Sequence, residues 1–189
     1  DTQGAFLALC LIIATVPVVI IGLILNVTGL SDAMRGIAVI GWAMIIFGIV
    51  LYWADQKGPT EKTAPQWSLK DALQMGLWQA LALIPGTSRS GITITAGRML
   101  GYTRTDAAKL AMLMSIPTII ASAALLGLDV ISTGDTGEMR DIAIVIGMSF
   151  AAALLALALM MRLLKSVSFT PYVIYRIILG VVLLWIAYT

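Results

Sequence analysis

Long apolar runs separated by short polar interruptions dominate the chain. Residues 4–25 carry no charge and are long enough, at about 1.5 Å per helical residue, to cross about 30 Å of hydrocarbon, which predicts a transmembrane helix. Pro17 falls inside it and would kink it, as a membrane helix with neighbours tolerates. Residues 36–54 predict a second crossing, ending in Tyr52 and Trp53, side chains suited to an interface. Residues 110–128 and 142–161 predict two more, separated by a polar loop with Asp129, Asp135, Glu138 and Asp141. Residues 172–188, after Pro171, predict the last. Arg176 lies about one turn into it, where a long side chain snorkels or faces a polar interior.

The middle of the chain breaks this rhythm. Residues 55–71 are polar and include Gly58, Pro59 and Pro65, the composition of an exposed loop. Ser68 followed by Asp71 predicts a helix start, the hydroxyl capping free N–H groups. The apolar pattern from residue 69 stops at Pro85-Gly86, too soon for a crossing, and residues 91–100 form a second short piece closed by Arg98, Gly101 and Arg104. Two half-length helices joined by a polar turn predict a re-entrant hairpin at about residues 69–100. The expected fold is an all-α integral membrane protein, a polytopic helix bundle with a re-entrant pair, in a single transmembrane domain over residues 1–189.

Charge placement tests that layout. With the first helix running from inside to outside, Lys57, Lys62, Lys70, Arg98, Arg104, Lys109, Arg162 and Lys165 fall on the cytoplasmic side and only Arg35 and Arg140 outside. That matches the positive-inside rule. A straight crossing by residues 69–100 would instead put Arg104 and Lys109 outside, so a hairpin that returns to its own face is preferred.

Composition narrows the chemistry. Only 12% of residues are charged and the net charge is +2, too balanced for a nucleic-acid partner. With Cys10 the single cysteine and no histidine, intrachain disulfides, Cys/His zinc sites and Ser-His-Asp triads are excluded within this chain. Hydroxyls, carboxylates, Arg, Lys and Tyr remain. The chain opens on Asp1 with no basic segment before its first apolar run, which reads as an internal cut rather than a signal peptide, so the expectation is a part of something longer.

The stretch LIPGTSRSGIT, residues 83–93, places Ser88, Arg89 and Ser90 at the hairpin tip, near mid-membrane. A buried Arg there costs from about 2.5 to more than 10 kcal/mol depending on the scale, so it needs an anion or a wet cavity. A structural ion pair is the plain alternative, yet neighbouring apolar runs offer no acid. The planar fork of Arg89 suits phosphate oxygens. Ser88, Ser90 and Thr93 offer hydroxyl donors, and a half-helix starting near Gly91 adds N–H groups and a positive dipole end. Gly86 and Gly91 suit a sharp turn and close backbone approach. Phosphate or pyrophosphate is the expected ligand, with Thr87 in the same turn. The Walker pattern is absent. A mid-membrane site favours a phosphate carried on a lipid.

Weaker features surround this one. Gln79 is either an interhelical hydrogen-bond donor or a site residue, and Gly97 to Gly101 matches the G-x-x-x-G of close helix packing. The ten methionines and the tryptophans read as packing and interface anchors. Asn26-Val27-Thr28 is a chance sequon.

The segment GLWQALALIPGTSRSGITITAGRMLGYTRTDAAKLAMLMSIP resembles the bacterial undecaprenyl-pyrophosphate phosphatases, the bacitracin-resistance membrane phosphatases. Their P-G-x-S-R-S-x-x-T signature is matched by Pro85, Gly86, Ser88, Arg89, Ser90 and Thr93, and SFTPYVIYRIILG resembles their final helix. The resemblance implies a multi-pass hydrolase of the bacterial inner membrane that removes the terminal phosphate of the C55 lipid diphosphate, recycling the carrier for peptidoglycan synthesis. It implies two inverted repeats whose re-entrant tips meet, this chain supplying one. By that carry-over Arg89 binds the pyrophosphate and Ser88 and Ser90 position it, as catalytic residues. Gly86, Thr87, Gly91, Thr93 and Gln79 line the substrate site, Gln79 at the position that carries an acid in the opposite repeat.

One departure stands out. The family's N-terminal E-x-x-x-E and P-V-S-S-T-G-H motif has no counterpart in this sequence. The resemblance therefore implies a C-terminal portion, inactive alone, whose divalent cation, Mg²⁺ or Ca²⁺, and nucleophile or base come from a missing N-terminal repeat. The implied partners are a polyprenyl pyrophosphate, the membrane and that repeat, with a homodimer left open. A lipid-phosphate flippase with the same midplane site, or a scaffold with a vestigial one, remains the rival reading.

Overall fold

The computed structural model describes residues 2–30, 34–133, 136–163 and 167–189. Its helices are α1 (Thr2–Thr28), α2 (Ile37–Lys57), α3 (Leu69–Ala80), α4 (Arg89–Met99), α5 (Arg104–Thr133), α6 (Thr136–Leu163) and α7 (Thr170–Tyr188). Among the described residues, five spans are long and apolar enough to cross a membrane: Thr2–Thr28, Ile37–Lys57, Arg104–Ala123, Ile144–Leu163 and Thr170–Tyr188. The chain is an all-helical integral membrane protein, as its apolar runs predict.

The helices outrun those apolar runs. The expected polar loop between the third and fourth crossings is largely helical. α5 continues through Asp129 to Thr133, and α6 already contains Glu138 and Asp141, while Asp135 lies outside the described residues. Each added residue completes a backbone bond, and acids near a helix N-terminus are favoured by its dipole. Polarity there marks the exit from hydrocarbon, not the end of the helix.

The same correction applies to Asp55, predicted on an exposed loop. It lies in the last turns of α2 and is 2% exposed. Arg98, expected on the cytoplasmic side, is equally buried. It donates to the carbonyls of Asp55, Gly58, Pro59 and Tyr102 and lies 3.4 Å from the Asp55 carboxylate.

α2 and α7 run antiparallel in close contact. A Cβ at Gly41 would meet the Leu184 side chain at 2.8 Å, Gly48 lies against Arg176 and Ile177, and the Phe169 N–H reaches Asp55. α1 packs as closely on α3, where a Cβ at Gly76 would overlap the Ala14 carbonyl and stand 2.8 Å from its Cα. Cys10, Ala14, Met75, Ile94, Leu110 and Met114 form the core where α1, α3, α4 and α5 meet. The expected G-x-x-x-G packing holds for Gly97, whose Cβ would stand 3.0 Å from that of Ala107. Gly101 is instead a turn residue with φ +91°.

The two ends of the α3–α4 segment meet. Ser68 caps α3 by accepting from the Asp71 N–H at 3.1 Å, as predicted. The Asp71 carboxylate accepts from Tyr102, just beyond α4, at 2.6 Å and from Lys62 at 3.1 Å. The Gly101 carbonyl accepts from the N–H groups of Glu61 and Lys62, and Lys62 accepts from Thr103. Burial, and then the bond to Asp71, push the Tyr102 phenol well above its ordinary value, so it stays a donor.

Gly76→Ala tests the α1–α3 contact. Alanine favours an isolated helix by about 1 kcal/mol over glycine. Here the clash with Ala14 backbone outweighs that, and the variant should lose about 1–3 kcal/mol, read as a lower unfolding temperature in detergent. A rise would show that α1 yields without cost.

Candidate active site

α3 ends at Ala80, a single 3₁₀ turn follows over Leu81–Leu83, and the chain then reverses at Pro85-Gly86. The Thr87 N–H closes this turn on the Ile84 carbonyl at 3.2 Å. Gly86 has φ +90°, and a Cβ on it would stand 2.5 Å from the Ile40 carbonyl oxygen of α2. Both the turn and the close approach expected for Gly86 are therefore present. Arg176, against Gly48 near the middle of α2, reaches the same turn.

Ser88 holds φ 68°, a conformation that side chains other than glycine rarely adopt and that functional sites often retain. It is the N-cap of α4, its Oγ accepting from the Gly91 N–H at 3.2 Å and from the Tyr172 hydroxyl at 3.0 Å. With both lone pairs engaged, the Ser88 O–H proton is left to donate outward. The first-turn N–H groups of Arg89 and Ser90 have no hydrogen-bond partner among the described residues. α4 thus presents unpaired donors at its positive end.

Arg89 opens α4, and Arg176 reaches the turn just before it. Arg89 is half-buried, and its guanidinium has neither ion pair nor hydrogen bond among the described residues. Arg176, from α7, is 2% exposed; its Nη2 donates to the Gly86 carbonyl at 2.8 Å while Nε and Nη1 have no partner. A Cβ on Gly91 would stand 2.9 Å from that Nη1, which explains glycine there. The Tyr172 ring lies 5.8 Å from the Arg176 guanidinium carbon. Asp55 and Asp71, both buried, sit at the far end of the hairpin and are committed to cations there.

The remaining predicted residues divide. Thr93 is fully buried, and its hydroxyl donates to the carbonyls of Arg89 and Ser90 inside α4, at 2.9 and 3.1 Å. Its single O–H is committed to its own helix, so the expected Thr93 donor does not face the tip. Thr87 is fully buried with Oγ1 unpartnered. Ser90 lines a largely apolar cavity of about 250 Å³ with Ile94, Met160, Phe169 and Tyr172. Gln79 is fully buried and donates to Thr118 at 3.3 Å, joining α3 to α5 and contacting none of the tip residues. That is the interhelical bond foreseen as one of its two readings.

Sequence reasoning did not bring Arg176 and Tyr172 to the break. Arg176 did carry a signal, because an arginine inside a membrane helix marks function by default. What covers the break is a contact between residues ninety positions apart, which no local pattern encodes.

The donor set is therefore two guanidiniums, a serine O–H and helix N–H groups. It suits an anion with several oxygens and repels a cation. Comparison with known proteins gives this a family. Residues 1–182 match the family model described as bacitracin resistance protein BacA. The chain belongs to the BacA family. It is 67% identical over 189 residues to an undecaprenyl-diphosphatase of Dinoroseobacter shibae and 69% identical over 188 residues to one of Jannaschia sp.. One from Chromohalobacter salexigens is 42% identical over 187 residues. The alignments cover 98 to 100% of this chain and 70 or 71% of the relatives. This BacA-family chain thus spans about seven-tenths of those proteins.

A buried cation with no carboxylate opposes folding, and its removal relieves that cost. Arg176→Met should therefore unfold at the same or a higher temperature than the parent in the absence of added anions. A fall of several degrees would show that the charge is compensated in the resting protein.

Proposed function

We propose that the chain is the C-terminal part of an undecaprenyl-diphosphatase, a multi-pass enzyme of the bacterial inner membrane that hydrolyses undecaprenyl pyrophosphate to the monophosphate and phosphate. The activity recycles the lipid carrier of peptidoglycan synthesis and accounts for bacitracin resistance. One observation carries the reading: Arg89 opens α4 beside the turn that Arg176 reaches, and neither guanidinium has an acid among the described residues. Such an arrangement is stable to the extent that an anion completes it.

In this reading α3 and α4 form a re-entrant pair that leaves the membrane by the face it entered. The joined ends of the segment, with Gly101 and Tyr102 bonded to the loop before α3, support it. So does the close approach of Gly86 to Ile40, about 15 residues and hence about 22 Å along α2 from Asp55. The pair is one half of an inverted-repeat architecture, within a single transmembrane domain.

The roles follow from the donors. Arg89 grips the pyrophosphate with its fork, and Ser88 donates its free O–H. The N–H groups of Arg89 and Ser90 face the same oxygens, and their dipole opposes the charge that develops as the terminal P–O bond breaks. Arg176 holds the Gly86 carbonyl and so the turn, with Nη1 and Nε in reserve for an oxygen. The break supplies no carboxylate for a divalent cation. Mg²⁺ or Ca²⁺, and the attacking hydroxyl or water, belong in this reading to an N-terminal repeat that the relatives' greater length accommodates.

The test is phosphate release from a polyprenyl diphosphate by the intact protein in detergent, where no compartments exist. Arg89→Ala should lower kcat by about 100-fold or more, the scale of losing one preorganised donor to a developing oxyanion. Arg89→Lys, which keeps the charge but not the fork, should fall between. Binding of the lipid without phosphate release from the unmodified protein would leave transport as the function. Full release by Arg89→Ala would remove the site from the break.

A second expectation concerns the anion. Pyrophosphate should raise the unfolding temperature of the parent, since a ligand of the folded state stabilises it by mass action, and should not raise that of Arg89→Ala.

A further inference from the structure

Asp55 is a carboxylate in the last turns of α2, the helix end where the dipole disfavours an anion, and it is 2% exposed. Its contacts offset both costs. Oδ1 accepts from Arg104 Nε at 2.7 Å, and Oδ2 accepts from Arg104 Nη2 at 3.1 Å, a forked contact with the start of α5. Arg98 Nε stands 3.4 Å from Oδ1, and Arg98 Nη2 donates to the Asp55 carbonyl at 3.1 Å. The Phe169 N–H, at the N-cap of α7, reaches Oδ2 at 3.4 Å.

Arg98 and Phe169 belong to the two helices that carry the anion donors. Nine residues separate Arg98 from Arg89, about 14 Å of rigid helix. Arg176 lies seven residues beyond Phe169, about 10 Å along α7. At the far end the two helices meet through the Tyr172–Ser88 bond of 3.0 Å and the Arg176–Gly86 bond of 2.8 Å. A slide of either helix by one residue's rise, about 1.5 Å, would break both, because hydrogen bonds weaken steeply beyond their normal length. The small separation at Gly48 lets Arg176 pass close to α2 on the way.

We propose that Asp55 is a positioning residue for the anion site: by holding the bases of α4 and α7 together, it sets the spacing of Arg89, Ser88 and Arg176. The inference rests on the phosphatase reading only for the identity of the anion.

Two measurements on the intact protein test it, with Asp55→Asn as the variant. Should Asp55→Asn fail to accumulate as folded protein, Arg104→Lys, which keeps the charge and loses the fork, takes its place. The first measurement is amide hydrogen exchange, which needs no activity. Exchange should quicken in residues 84–91, at the distant turn, as well as in residues 96–104 and 167–171 at the base. Exchange confined to the base overturns the proposal.

The second is phosphate release in a double-mutant cycle with Tyr172→Phe, which cuts the α7–α4 bond directly. Asp55→Asn should lower kcat by about tenfold in the parent and by less than about threefold beside Tyr172→Phe, since coupled residues are non-additive. Equal losses in both backgrounds, the signature of a merely structural role, overturn it. An unmodified protein that releases no phosphate while exchange still spreads to residues 84–91 refutes the phosphatase reading and leaves the positioning role standing.

Discussion

A helix that stops inside hydrocarbon leaves N–H and C=O groups that no water can satisfy, so a break is tolerated only where protein encloses it or a polar cavity receives it. The break between α3 and α4 is enclosed by protein. Residues 84–91 interrupt the α3–α4 segment, and α2 and α7 close over the interruption. Gly86 meets the Ile40 backbone, the Gly86 carbonyl takes a bond from Arg176, and Ser88 serves both Gly91 and Tyr172. Among the described residues the N–H groups of Arg89 and Ser90 at the start of α4 stay unpaired, as do Arg176 Nε and Nη1 and the Thr87 hydroxyl.

The two ends of the hairpin solve opposite electrostatic problems. At the base, the buried Asp55 is paired with Arg98 and Arg104, and the buried Asp71 with Lys62 and Tyr102, so each buried carboxylate has its charge met within the protein. Such pairs add little net stability against an apolar replacement, but a broken one leaves an uncompensated charge, which makes the arrangement specific. At the tip, Arg89 and Arg176 have no such acid. The contrast is one of chemistry alone: Arg98 at the base and Arg176 at the tip are equally buried, and of the two only Arg98 has a carboxylate beside it among the described residues.

Close packing makes the tip's geometry possible. α2 approaches α7 at Gly41, Gly48 and Gly180, and α1 approaches α3 at Gly76, in each case where a Cβ would meet a neighbour. Among membrane helices no hydrophobic effect drives association, so intimate backbone contact and interhelical bonds such as Gln79 to Thr118 hold the bundle. Small residues at these crossings bring α7 near enough to α2 for Arg176 to reach across to the hairpin.

The sequence by itself determined the membrane class, the five candidate crossings found among the described residues, the break at Pro85-Gly86 and the arginine set beside it. Each follows from local physics: run length against hydrocarbon thickness, a residue that cannot donate, a glycine that alone takes φ +90°, and an arginine with no nearby acid. Helix ends were misread where polarity stood in for geometry, as at Asp55 and in the stretch before α6, because a helix continues past the membrane surface while its backbone bonds remain favourable. Only the tertiary structure decided which charges are spent on each other and which stay unpaired among the described residues. Asp55 with Arg98 and Arg104, Arg176 with Gly86, Tyr172 with Ser88 and the turning of Thr93 into its own helix are contacts set by how helices dock. Residue spacing along the chain carries no record of that docking.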